Sequence, residues 1–296
     1  DIDRIMHRTA GRPIPTGRVS PKAATRFGIT LGIAGFVVLA VGSTLLAGVL
    51  SLVAFGFYVI VYTMLLKRST TQNIVIGGAA GAVPALIGWA AITGDLTAAS
   101  WIMFAIIFYW TPPHFWALSI KYEDDYRRAE IPMLSVVAGA EVTFREIVWY
   151  SVVTVGVSLM LIPVADLGWI YAAAAVVLGI SMVIAALWLR SDRTRAMRFF
   201  GYTNLYLAGL FLAMMLDRLI DTRPLTGAAF WMVTATTIVG VGGLSVIASE
   251  VASHARGPGV SRLRQMAEVG ITGLFAFGLT WAAWLAITTS LTSVKV

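Results

Sequence analysis

The 296-residue sequence is 58% hydrophobic and 12% charged, with mean hydropathy +0.82 and net charge +7; soluble domains are about 45–50% apolar and about 25% charged, so a water-soluble core is excluded. Having no cysteine, the chain can have no disulfide, thiolate metal site or cysteine nucleophile. Its positive charge is explained by membrane topology and calls for no nucleic acid.

The chain opens at Asp1 on a charged loop, without Met or a signal peptide, and reads as a fragment or a processed chain. Uncharged stretches then follow at 27–66, 69–94, 96–120, 147–165, 167–189, 199–216, 224–249 and 269–294. About 20 apolar residues cross a hydrocarbon core as a helix. The first stretch holds two such lengths, and Gly48 near its middle predicts the turn between them. Nine helices are therefore expected, at 27–46, 49–66, 73–92, 99–119, 146–164, 168–189, 199–216, 228–249 and 269–290. Barrel strands would alternate polar and apolar residues, and these stretches do not. With the N-terminal face taken as inside, 19 Lys and Arg lie inside and only Arg218, Arg223 and Lys295 outside. That bias predicts a cytoplasmic N-terminal loop.

Ionisable groups avoid the span centres, except His114 toward the inner part of the fourth. They crowd instead into two inside loops, Asp1–Pro21 and Lys121–Leu134. Carboxylates from both loops, Asp1 and Asp3 with Asp124 and Asp125, would suit Mg²⁺, which takes a few carboxylates together with phosphate oxygens. Interleaved Arg and Lys would meet the remaining phosphate charge. Asp1 and Asp3 face one site only in extended or frayed chain, since on a helix they diverge by about 200°. A helical continuation of the fourth span puts Lys121 with Asp125, and Asp124 with Arg128, on common faces. The plainer reading is a set of solvated loops obeying the positive-inside bias, but that bias gives no reason for the acids, Glu123 included.

The strings D-I-D-R-I-M-H-R-T-A-G-R-P-I-P-T-G-R-V-S-P at 1–21, Y-T-M-L-L-K-R-S-T-T-Q-N-I-V-I-G-G-A-A-G-A-V-P at 62–84, W-T-P-P-H-F-W at 110–116 and D-Y-R-R-A-E-I-P-M-L at 125–134 resemble the UbiA superfamily, and within it the haem O synthases. With N-L-Y-L-A-G-L-F-L-A-M-M-L-D at 204–217, the resemblance covers residues 1–223. It implies an all-α, polytopic transmembrane helix bundle that transfers farnesyl from farnesyl diphosphate to a vinyl group of haem b, with water added, using Mg²⁺. By the same resemblance Asp1 and Asp3 match the end of the first Asp motif, and Asp124 and Asp125 the second. Arg8, Arg12, Lys67, Arg68 and Lys121 match basic positions facing diphosphate or haem propionates, with Asn73 on the polar rim. Tyr62, Tyr122 and Tyr126 either line the mouth or form an interfacial belt. His114 either assists haem placement or proton transfer, or packs between helices. Gly77, Gly78, Gly81 and Pro84 read as close helix packing and a kink.

The resemblance also implies two helices upstream of Asp1, and Gly rather than Glu at position 130, where a special backbone conformation would be strained by a side chain. Residues 224–296 read as a two-helix extension with a packing or partner-binding role. Haem A synthase or oxidase assembly factors are the implied partners, and a bacterial inner membrane the implied location. Two other functions stay open: prenyl transfer to an aromatic quinone precursor, and a non-catalytic haem-handling scaffold or transporter.

Overall fold

The computed structural model describes residues 2–220, apart from the side chain of Ser191; Asp1 and the expected spans at 228–249 and 269–290 lie outside the described residues. Every regular element among the described residues is helical. The order is α1 (Ile2–Ile5), α2 (Pro21–Gly42), α3 (Leu45–Gly56) continuing as a π-helix (Phe57–Leu66), α4 (Asn73–Thr93), α5 (Ala98–Lys121), α6 (Glu123–Arg128), α7 (Leu134–Val137), α8 (Gly139–Val164), α9 (Trp169–Ser191), a 3₁₀ turn (Arg193–Arg195) and α10 (Ala196–Leu219).

Among the described residues six segments are long and apolar enough to cross a membrane: Pro21–Gly42, Leu45–Leu66, Asn73–Thr93, Gly139–Val164, Trp169–Arg190 and Arg193–Leu219. The protein is a multi-pass membrane protein. Helix α5, the fourth expected span, is less apolar than these and sits at the centre, against α4, α8 and α10. Its Thr111, Pro112, Pro113, His114 and Ser119 are all buried. Protein neighbours surround it, which is where polar and proline-interrupted helix is tolerated at membrane depth.

Several boundaries differ from expectation for identifiable reasons. The first turn falls at Ser43–Thr44, where the Thr44 hydroxyl accepts from the Ala47 amide at 3.1 Å and caps α3. Gly48 is instead helical and lies where α3 meets α2, since a Cβ there would stand 2.9 Å from the Ala40 Cβ. Helix α2 starts at Pro21, ahead of the expected Phe27, because Ser20 caps it and proline suits the first turn. Helix α8 begins at Gly139, about two turns before the expected start, its charged residues reaching out of the apolar zone to form the Arg190–Glu141 pair at 2.8 Å and the Arg145–Glu146 pair at 3.1 Å. At the opposite face buried Asp217 accepts from the Gly168 amide at 2.6 Å and the Tyr171 amide at 3.2 Å. It thereby satisfies first-turn donors of α9 that have no partner within that helix.

The expected glycine packing holds at two of three positions. A Cβ on Gly77 would overlap the Tyr62 ring, and one on Gly78 would stand 3.1 Å from the Thr111 Cβ, whereas Gly81 faces open space.

Candidate functional site

Three segments meet at the inner end of the bundle: the N-terminal loop, the turn between the π-helix and α4, and the chain after α5. Helix α5 stops because Tyr122 leaves helical geometry, at φ −110° and ψ 30°, and α6 starts afresh with three acids in its first turn. That break resets the helical phase, so the expected Lys121–Asp125 and Asp124–Arg128 pairs do not form. Asp125 pairs with Arg128 and Glu123 with Arg127 instead. Asp125 is 7% exposed; its Oδ2 also accepts from the Arg8 amide at 3.3 Å, tying α6 to the N-terminal loop. Burial pushes the Asp125 carboxyl up, but the Arg8 amide, the Arg128 guanidinium and the His7 amide outweigh it and hold the group below the ordinary carboxylate range.

The Arg8 guanidinium lies 5.4 Å from the centre of the Tyr122 ring, within cation–π reach. It also bonds Tyr126, whose phenol is pushed up by burial. Arg8 is in turn one of the charged neighbours of Lys67, together with Asp3, Arg68 and Arg12. Burial lowers the Lys67 ammonium from its ordinary value; Asp3 opposes this, and the three arginines add to it. Residues 2–5 form a helical turn, and Asp3 is directed at Arg12, 3.1 Å away.

An open cleft of about 850 Å³ results, lined by His7, Arg8, Lys121, Tyr122, Asp124, Asp125, Arg127 and Arg128. The structure thus brings Arg8, Lys121, Tyr122, Asp124 and Asp125 to one cleft. Tyr126 is buried beside it, and Asp3, Arg12, Lys67 and Arg68 join through Arg8. Asn73, 1% exposed, is tied to the same turn by a bond from Nδ2 to the Lys67 carbonyl at 3.4 Å. His114 is elsewhere, inside the bundle. It stacks between Trp110 and Phe200, at 4.3 and 4.0 Å between ring centres, with Nδ1 2.7 Å from the Thr203 hydroxyl. His7, Arg127 and Arg128 line the cleft and were missed; the Asp125–Arg128 spacing of three was the available signal.

Among the described residues no three His, Asp or Glu side chains gather as a ready metal site. The cleft's own carboxylates, Asp124 and Asp125, both stand on α6 among Arg8, Lys121, Arg127 and Arg128, while Asp3 pairs with Arg12 on the N-terminal loop. This arrangement can receive a polyanion whose own oxygens complete a cation's shell. Within the bundle a row of core aromatics packs ring to ring: Phe108–Tyr109 at 5.2 Å, Tyr109–Tyr150 at 6.3 Å and Trp116–Tyr150 at 5.2 Å between ring centres.

The sequence model of the UbiA prenyltransferase family matches residues 1–215. The chain belongs to the UbiA prenyltransferase family. Similar UbiA relatives include a protein named protoheme IX farnesyltransferase from Gloeobacter violaceus, 51% identical over 220 residues that make up 73% of this chain and 72% of the relative. A protein of the same name from Synechocystis is 48% identical over 76% of this chain and 72% of its own length. Another from Nocardioides is 50% identical over 74% and 73% respectively. No solved structure matches the chain. The matched region takes in all three segments that build the cleft.

Proposed function

We propose that this prenyltransferase joins farnesyl diphosphate to a vinyl group of haem b, with water added, giving haem O and diphosphate. The observation that carries the reading is the meeting of two acid-bearing loops with five basic residues at the mouth of an aromatic-lined bundle, in a chain about half identical to proteins named for this reaction.

Arg8, Arg12, Lys67, Arg68 and Lys121 hold the diphosphate, and cations aimed at its bridging oxygen stabilise the charge that develops as the C–O bond breaks. The hard oxygens of Asp3, Asp124 and Asp125, with Asp1 beside them in sequence, are the donor chemistry Mg²⁺ prefers. When bound there, Mg²⁺ supplies Lewis acidity for diphosphate departure. Arg12 and Arg128 neutralise Asp3 and Asp125, and if those carboxylates held Mg²⁺ both guanidinium groups would be left to face the diphosphate. The prenyl chain lies along Phe108, Tyr109 and Tyr150, where dry aromatic walls keep water from the allylic cation and stabilise it. Tyr122 and Tyr126 close the mouth. His114, fixed by Thr203, forms a wall of the acceptor chamber. The charge bias supports a cleft on the cytoplasmic side of a bacterial inner membrane. Product then passes to a haem A synthase or an oxidase assembly factor.

The test is mass spectrometry of porphyrin products after the chain, in nanodiscs, is supplied with haem b, farnesyl diphosphate and Mg²⁺. A hydroxyethylfarnesyl haem is expected. Farnesylation of an aromatic acid in place of haem would transfer the reading to quinone precursors, and no diphosphate release with any acceptor would leave a scaffold.

A further inference from the structure

Two arginines from different parts of the chain share the Glu123 carboxylate. Its Oε1 takes the Arg127 guanidinium, also on α6, at 2.5 Å, and its Oε2 faces the Arg193 guanidinium at 4.0 Å, on the 3₁₀ turn between α9 and α10. That turn packs against α5. Its backbone is set by Asp192, which accepts from the Thr194 amide at 2.9 Å and pairs with Arg195 at 3.3 Å. Arg195 is thereby engaged by its own turn, and Arg193 is the member that turns to Glu123. Arg127 in addition lines the cleft. Two guanidinium groups at the cleft rim thus already reach one carboxylate, so a ligand carboxylate in the same place would meet both.

Neither topology nor stability explains this arrangement. The positive-inside bias accounts for the arginines but gives no reason for the acid between them. The Arg127 and Arg193 side chains are 59% and 63% exposed, and ion pairs so open to water contribute little to folding. Such pairs also exchange partners readily. Haem b is an apolar disc with two propionate carboxylates on one edge. Burying a carboxylate charge is costly, so the propionates stay at the wet mouth while the rest of the ring enters the bundle. They need cations there that the diphosphate does not take. Arg127 and Arg193 are such cations, and a planar guanidinium matches a carboxylate in both shape and charge.

We propose that Glu123 occupies the place of one haem propionate in the free protein, and that Arg127 and Arg193 hold that propionate when haem displaces it. The proposal rests on the function given above and gives the acceptor's anionic edge a subsite beside the diphosphate cations but distinct from them. No covalent bond changes: one carboxylate replaces another on the same pair of cations. Glu123 is then an internal competitor, and a flat apolar ligand without a carboxylate cannot displace it.

The experiment titrates haem b into the chain in nanodiscs, followed by its Soret absorbance, and repeats the titration with haem b dimethyl ester, whose propionates carry no charge. Wild type, Glu123→Gln, Arg193→Gln and Glu141→Gln are compared, with KM for farnesyl diphosphate and the porphyrin products measured alongside. Removing the competitor should tighten haem binding about two- to fivefold in Glu123→Gln, and removing one cation should weaken it by a similar factor in Arg193→Gln, the scale of one exposed charge pair. Both shifts should vanish with the ester, while KM for farnesyl diphosphate stays at its wild-type value. Glu141, an exposed acid paired with Arg190, controls for overall charge and should leave haem affinity unchanged. Tighter binding cannot come from misfolding, so Glu123→Gln decides the matter even if Arg193→Gln is unstable. Unchanged or weaker haem binding by Glu123→Gln overturns the proposal, as does an equal gain in Glu141→Gln or a shift that persists with the ester. Shifts confined to nanodiscs containing acidic lipid overturn it as well, since the arginines would then hold a lipid phosphate. A wild type that farnesylates haem without these shifts sinks the subsite alone; one that makes no farnesylated haem sinks the proposed function and the subsite with it.

Discussion

Replacing Glu130 by glycine removes a Cβ from a residue held at φ 52°. The position closes α6: the Glu130 amide donates to the Arg127 carbonyl at 3.1 Å and the Ile131 amide to the Tyr126 carbonyl at 3.0 Å. These are the two bonds of a Schellman motif, whose left-handed residue is usually glycine. A side chain in that region costs roughly 1–2 kcal/mol. Glycine gives back about 0.4–1 kcal/mol through the greater freedom of the unfolded chain. Because Glu130 is exposed and forms no ion pair within 4.0 Å among the described residues, little else is lost. A net gain of about 0.5–1 kcal/mol follows, or roughly 1–3 °C in Tm for a chain of this size. Thermal unfolding in detergent at fixed scan rate, with Glu130→Ala as control, measures it. Alanine keeps the Cβ and should leave Tm near wild type. Equal Tm for the glycine and alanine variants would refute the argument from backbone strain.

Three other outcomes are expected. Gly48→Ala places a Cβ against the Ala40 Cβ and the Phe36 carbonyl and should destabilise by about 1–3 kcal/mol, whereas Gly35→Ala, inside α2 with nothing within 4 Å, should raise Tm slightly, by up to about 1 kcal/mol of stability. Thr203→Val keeps the shape but removes the hydroxyl facing His114 Nδ1, leaving a buried ring nitrogen unpaired; a loss of about 1–3 kcal/mol in chemical denaturation is expected. The Lys67 ammonium has a lowered pKa in the free protein, and a bound diphosphate would raise it again, so binding takes up a proton. Affinity for farnesyl diphosphate should therefore be flat below the free-protein value and fall as pH rises through it, and Lys67→Arg should abolish that limb in a titration of affinity against pH.

The spans were legible because continuous apolarity at membrane length has few other readings. Their ends were less so. Gly48 was read as a turn on residue type alone, while the working signal was the Ser-Thr pair at 43–44, whose hydroxyls reach the Ala91 and Ala90 carbonyls at 2.8 and 2.9 Å. At the cleft, the acids and bases were visible as departures from what membrane orientation requires. The partner choice of Asp125 was not, since it depends on the break at Tyr122, which local pattern does not mark. His114 and Thr203 stand 89 residues apart, and no periodicity links them. The strain at Glu130 was legible only through the resemblance, which set glycine there.

The most direct test of the cleft as the diphosphate site is Mg²⁺-dependent diphosphate release from farnesyl diphosphate and haem b, in wild type, Asp125→Asn and the outer-face control Asp166→Asn. Asp125→Asn should release diphosphate about a hundredfold or more slowly, because a carboxylate that would help hold Mg²⁺ is lost and with it the ion's stabilisation of the leaving charge. Asp166→Asn, at a left-handed position that asparagine also tolerates, should match wild type. Release from Asp125→Asn at the wild-type rate, or release that a chelator leaves untouched, would contradict the account.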